Sequence, residues 1–241
     1  MLETRQPMKP FNTIKNILAV AAMVSALTWQ ASAVIVYTST TTAGNQGANG
    51  PWALGLDFTV NTGGYVTRIG AFDSGSDGFG SATIPVAIYN LGNSTIVPGT
   101  SVSFTGMAGT PDGGAYRFLS IGSVYLAPGS YSIVAANYGV GGEQNYNAYV
   151  GSGLNWPDGG FVNPIGFNTA GGALTMGPGR FASGFSTLTL PAGQGDFFQP
   201  LFGSASFDFA VPEASQFAMA GIGLLGLVYI GRAYVLRTKH A

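Results

Sequence analysis

An uncharged run of eighteen residues, Ala214 to Gly231, constrains this chain more than any other feature. From Phe217 to Gly231 it has no polar face, so it cannot lie half-buried on a globular core as an amphipathic helix does. Continued through Arg232 to Leu236, it is long enough to cross a hydrocarbon layer of ~30 Å, with the arginine snorkelling to the interface. Arg237, Lys239 and His240 follow it. Positive charge beyond a span stays on the cytoplasmic side, which places everything before Ala214 on the other side.

The opposite end of the chain supports the same topology. Arg5, Lys9 and Lys15 precede a short apolar stretch, Ile17–Thr28, and Ala31-Ser32-Ala33 then supplies small residues at the spacing a signal peptidase needs. The stretch is too short to span a bilayer comfortably. Residues 1–33 are expected to be a signal peptide cleaved after Ala33, with the Sec machinery and signal peptidase as partners. Residues 34–210 are expected to form the exported domain, and 211–241 a sorting segment.

Composition narrows what that domain can do. Only 8% of residues are charged, against roughly 25% in an ordinary soluble chain. Between Val34 and Glu213, nine acidic residues face only Arg68, Arg117 and Arg180, an excess of six negative charges that argues against nucleic acid. There is no cysteine, which removes disulfides, thiolate chemistry and Cys-based zinc sites. The one histidine, His240, lies beyond the apolar run, so a Ser-His-Asp arrangement or His-ligated zinc in the domain is excluded. The chain is not expected to be an enzyme. A carboxylate pair acting as a hydrolase is the remaining catalytic alternative, and no such pairing is visible in the sequence.

The middle of the chain carries no helical periodicity. Short β-rich runs recur between turn residues, as in a sandwich or barrel. Strands are expected at Val34–Tyr37, Gly55–Val60, Tyr65–Phe72, Ile84–Tyr89, Val102–Phe104, Tyr116–Ser120, Gly122–Leu126, Gly129–Ala135, Ser186–Leu190 and Ser206–Phe209. In the last, Phe207 and Phe209 should face one way and Asp208 the other. Ala127-Pro128-Gly129-Ser130 reads as a tight turn. The 38 glycines show no repeat, so collagen and solenoid architectures drop out.

The tail, Val211-Pro212-Glu213-Ala214-Ser215 followed by Ala-Gly-Ile-Gly-Leu-Leu-Gly-Leu (220–227) and basic Arg232, Arg237 and Lys239, resembles the PEP-CTERM sorting signal. The layout is a motif at 211–215, a transmembrane helix at about 216–236 and a basic tail at 237–241. The sequence departs from the family pattern at Ala214, where proline is usual, and in the wider spacing of its basic residues. Gly221, Gly223 and Gly226 also match G-x-G-x-x-G, but no strand precedes them and no acidic residue follows at the required distance, so a dinucleotide site is rejected. The resemblance implies a protein of a Gram-negative, exopolysaccharide-making bacterium. It would be anchored in the inner membrane with its domain in the periplasm, then processed by an exosortase-like transpeptidase and sent to the cell surface or beyond.

A second resemblance lies within the domain. Tyr65-Val-Thr-Arg-Ile-Gly-Ala-Phe-Asp73, then Gly75, Asp77 and Gly78, Val86–Asn90, Tyr116-Arg117-Phe118 and Leu126–Ile133 are similar to an uncharacterised jelly-roll ectodomain family carried by PEP-CTERM proteins. This implies an all-β, jelly-roll-like β-sandwich. The role expected is structural or adhesive, in biofilm or extracellular matrix, with extracellular polysaccharide as a partner. Two alternatives are a carbohydrate-binding surface module and an ectodomain that stays membrane-anchored and uncleaved.

Two sets of candidate site residues remain. Asp73-Ser-Gly-Ser-Asp77-Gly78 partly matches a calcium loop but has Ile84 where the bidentate glutamate belongs, so it is no EF-hand; Asp73 and Asp77 are the candidate Ca²⁺ ligands. The segment from Gly141 to Phe167 carries Tyr146, Tyr149, Trp156 and Asp158. Rings that stack on sugar faces, next to a carboxylate for hydroxyls, make these candidate glycan contacts.

Overall fold

The computed structural model describes residues 33–45, 50–148, 165–194 and 201–212. All but Pro212 belong to one compact unit, Ser32–Val211. The expected signal peptide up to Ser32, the expected sorting residues from Glu213 onward, and Tyr149, Trp156 and Asp158 lie outside the described residues. Among those described, no helix is long and apolar enough to cross a membrane.

The described chain is all strand and turn. In order come β1 (Val34–Ile35), β2 (Tyr37–Ser39), β3 (Trp52–Val60), β4 (Gly64–Phe72), β5 (Thr83–Asn90), β6 (Thr95–Ile96), β7 (Val102–Thr105) and β8 (Thr110–Pro111). Then follow β9 (Tyr116–Leu126), β10 (Gly129–Tyr138), β11 (Tyr146–Ala148), β12 (Ile165–Phe167), β13 (Leu174–Ser183), β14 (Gly193–Gln194), β15 (Leu201–Gly203) and β16 (Ala205–Phe209). All pairings are antiparallel. One sheet has the order β1-β16-β4-β9-β8 and a larger one β14-β13-β3-β10-β5-β6, with β7 also on β5. The two share one apolar core, the arrangement of a β-sandwich.

Alternation puts Leu54, Leu56, Phe58 and Val60 of β3 into that core, opposite Ile69, Phe207 and Phe209. Phe58 and Phe207 meet across it with ring centroids 4.7 Å apart. Three hydroxyls also cross it. Tyr37 Oη donates to Asp57 O at 3.2 Å, and Ser204 Oγ to Leu54 O at 3.2 Å. Tyr138 Oη shares its one proton between Ser204 O at 2.7 Å and Phe72 O at 3.0 Å. Burial pushes both phenols well above their ordinary range, so they act as donors at any physiological pH.

Phe207 and Phe209 point into the core as expected, while Asp208 lies on the other side and is nonetheless buried. Against β16, β4 carries three residues, Val66 to Arg68, between the paired Tyr65 and Ile69 where β16 has only Asp208 and Phe209, and this bulge leaves two N–H groups facing β16. Asp208 Oδ1 accepts both, from Thr67 at 2.9 Å and Arg68 at 2.8 Å, and Oδ2 takes the Arg68 Nε at 2.8 Å. Pairing then resumes between Tyr65 and Ala210, each N–H donating to the other's carbonyl at 2.9 Å. Val211 packs against the core beyond this bridge.

Three sequence expectations need correction. Tyr116–Ser120 and Gly122–Leu126 are one strand, β9, which runs on through an irregularity at 121–123, between the pairs Arg68–Ser120 and Val66–Val124. Ser186–Leu190 is not a strand: it lies flat on the outer face of the larger sheet, with Leu188 and Leu190 on Ala87, Tyr89 and Val134. Arg180, paired with Asp57 at 2.6 Å, fixes its end by donating to Pro191 O at 3.3 Å. β13 went unforeseen because Gly177-Pro178-Gly179 reads as a turn. The strand tolerates the proline at a bulge between Met176 and Gly179, and a Cβ at Gly177 would sit 2.8 Å from Asp57 Cβ.

The shared phenol proton gives a direct test of the core. Tyr138→Phe keeps the ring and removes a donor from Phe72 O and Ser204 O, the second of which keeps the Phe72 N–H, so urea unfolding should show a loss of about 1 kcal/mol at unchanged denaturant slope. An unchanged midpoint would show that the hydroxyl does not tie the sheets.

Candidate functional site

The strands run between two ends of the sandwich. At one end lie the turns 73–82, 106–115 and 139–145, and two of the buried acidic groups, Asp73 and Glu143, gather there. Asp73 ends β4, and its backbone N–H donates to Ala115 O at 2.8 Å. Both of its carboxylate oxygens accept the Gly78 N–H, at 3.0 Å. Gly78 has φ +91°, and a Cβ there would lie 2.8 Å from Gly106 O, so the loop demands glycine at this point.

Arg117, buried in β9, faces Asp73 with Nη1 at 3.5 Å from Oδ2. Its other donors collect the 107–109 turn: Nε donates to Ala108 O, and Nη2 to Met107 O and Gly109 O, each at 3.0 Å. Glu143 approaches from the loop after β10. Its Oε1 accepts the Ser74 N–H at 2.7 Å, while its own carbonyl accepts the Gly139 N–H at 2.7 Å. Ser74 Oγ in turn accepts the Gly44 N–H at 3.0 Å, and Thr42 O accepts the Gly75 N–H at 2.7 Å. One acidic centre therefore binds four chain segments.

Glu143 is only 4% exposed and Asp73 1%. Burial pushes the Glu143 carboxyl up to about 8; the Ser74 N–H opposes this, and the charges of Asp73 and Asp77 add to it. Burial also raises Asp73, against the pull of Gly78 N–H and Arg117. A protonated glutamic acid beside a carboxylate is the raw material of acid–base chemistry. Here the carboxylate is neutralised by Arg117, and both groups are closed off from water. The arrangement acts as an internal clamp.

The two aspartates picked as calcium ligands differ in environment. Asp73 already has a guanidinium as counter-charge, the opposite of what a cation site requires, whereas Asp77 is exposed. Among the described residues, no group of three or more His, Cys, Asp or Glu is placed to hold a metal ion. Of the proposed glycan contacts, Tyr146 is half-buried in β11, packed against the core and paired with Gly203. Ala33 is exposed just before β1, and Val211 and Pro212 are half-buried where the described chain ends. Sequence reasoning missed the Asp73–Arg117–Glu143 grouping. Its members are 44 and 26 residues apart, and nothing local marks them as neighbours.

No family model matches the chain, and no curated protein does.

The clamp has a pH signature. In the unfolded chain Glu143 should lose its proton near 4.5, but in the fold only near 8. The folded state thus binds the extra proton across that window, and stability should fall as pH rises from 4.5 through 8, then level off. Glu143→Gln mimics the protonated side chain. Its thermal midpoint should match the parent at pH 4 and exceed it by a margin that grows to pH 8. A constant difference across that range would remove the clamp.

Proposed function

We propose that this chain is an exported cell-surface or extracellular-matrix protein with a structural or adhesive role in an exopolysaccharide-linked biofilm. In this reading, a signal peptide directs it through the Sec machinery. The span at about 216–236 holds it in the inner membrane, and an exosortase-like transpeptidase then acts near Pro212-Glu213-Ala214. The ectodomain is a jelly-roll-like sandwich without catalytic function, and extracellular polysaccharide is its partner.

One observation carries this reading. The three-part tail of motif, apolar run and basic end starts directly after Ala210, the last residue paired into the sandwich. Nothing between the folded domain and the motif serves as a linker. Further support comes from the strand order: β3, β4, β5, β9 and β10 alternate between the two sheets, as successive strands of a jelly roll do. The Ala127–Ser130 turn joins two strands of different sheets. The acidic clamp supports a non-catalytic role, since its carboxyls are spent on the domain's own loops.

Intact-mass analysis of the protein from exosortase-bearing cells tests the reading. The mature species should begin at Val34 and lack Arg237 and Lys239. Retention of both basic residues would mark a permanently anchored protein instead. Ala214→Pro restores the usual third motif residue and should raise the processed fraction, while Pro212→Ala should lower it.

A further inference from the structure

The hairpin that joins β5 to β6 carries a feature that the sorting proposal leaves unused. Asn93-Ser94-Thr95 is the only Asn-Xaa-Ser/Thr triplet in the sequence. Transferases that attach sugar to an asparagine side chain accept this spacing, with any residue but proline in the middle. Such triplets arise often by chance, so the setting in the fold decides what this one can do.

The loop stands clear of the domain while its base is fixed. Tyr89 pairs with Ile96 and Asn90 with Thr95, closing a four-residue turn, and the Leu91 N–H donates to Ser130 O at 2.9 Å. Beyond that base, Gly92, Asn93, Ser94 and Thr95 are all exposed. The Gly92 N–H is taken by Asn90 Oδ1 at 2.8 Å, and Ser94 turns the chain back at φ +57°. Among the described residues, no main-chain hydrogen bond ties Gly92, Asn93 or Ser94 to another segment. A transferase can therefore reach the tip without opening a sheet.

The Asn93 side chain is held by its oxygen. Oδ1 accepts the Thr95 hydroxyl at 2.8 Å and the Thr95 N–H at 3.2 Å. Nδ2 is the free end of the amide, and no group among the described residues accepts from it. Two donors on the oxygen also favour the deprotonated amide, which eases loss of a proton from Nδ2. Other asparagines differ. Asn45, Asn61 and Asn137 spend Nδ2 on the carbonyls of Asn147, Gly172 and Thr83. Asn90 and Asn168 accept the N–H two residues on through Oδ1, as Asn93 does, but those residues are Gly92 and Ala170, which have no hydroxyl. Of these six, Asn93 alone combines a free nitrogen with a hydroxyl on its oxygen.

We propose that Asn93 is a glycosylation site, whose Nδ2 takes a sugar or oligosaccharide from a glycosyl diphosphate donor. In the transfer, Nδ2 attacks the anomeric carbon and a C–N bond forms there. The bond from that carbon to the diphosphate oxygen breaks, and its electron pair leaves with the diphosphate. One Nδ2 proton passes to a base of the transferase. A hydrated sugar at this tip covers no paired strand and adds solubility to a chain with only 8% charged residues. The inference is independent of how the C-terminal segment is processed.

Trypsin, cutting after Arg68 and Arg117, releases Ile69–Arg117 as one peptide that contains Asn93 and no other such triplet. The full chain is purified from the cells that produce it, and this peptide is weighed by mass spectrometry. Its mass should exceed the sequence value by one or more sugar residues, and fragmentation should place them on Asn93. Enzymatic removal of the sugar should leave an aspartate at position 93. Thr95→Val keeps the shape of an exposed side chain, so it should lose the added mass while retaining the parent's urea midpoint. Thr95→Ser should keep the modification at several-fold lower occupancy. A peptide of unmodified mass from the parent chain would overturn the inference. So would added mass that survives Thr95→Val or Asn93→Gln.

Discussion

Buried hydroxyls that donate to main-chain carbonyls across the core hold this domain in register. Aromatic packing supplies the cohesion, but packing alone is tolerant of small slides between sheets. Tyr37, Tyr138 and Ser204 remove that tolerance, because each carbonyl they satisfy belongs to a particular residue across the core. Chains that contain cysteine can use disulfides for the same purpose. This one has none, and directional hydrogen bonds in a dry core take over their role.

The same scarcity of devices explains where charge is allowed. Each of the three arginines in the domain is paired: Arg68 with Asp208, Arg117 with Asp73 and Arg180 with Asp57. Each pair also repairs a backbone irregularity. Asp208 fills the bulge of β4, Arg180 ties down the segment lying over the larger sheet, and Arg117 gathers the carbonyls of a turn. Glu143 differs, since no cation neutralises it, and it holds its loops best as a neutral acid. Charge is thus spent on local geometry.

Much of the fold could be read from residue pattern. Long strands such as β4, β5 and β10 announced themselves through β-branched and aromatic runs, and the Phe207/Asp208/Phe209 alternation set the orientation of β16. What escaped was whatever local pattern misrepresents. Gly177-Pro178-Gly179 looks like a turn yet is a bulge, required where β13 passes over Asp57. Ser186–Leu190 has a strand's composition but pairs with no strand, and it packs through Leu188 and Leu190. The clamp was illegible for another reason: Asp73, Arg117 and Glu143 meet only because β4, β9 and β10 all end at the same side of the sandwich. The proposed sorting segment, by contrast, rests on hydropathy and terminal charge, which are properties of sequence order itself.

The account stands on the direction in which the chain is threaded through the membrane. Reporter fusions measure that directly, with an enzyme active only after export joined behind Ala210 in one version and behind Ala241 in another. Activity behind Ala210 and silence behind Ala241 is the expected result. Activity behind Ala241 would place the basic end outside, and the sorting segment would lose its meaning.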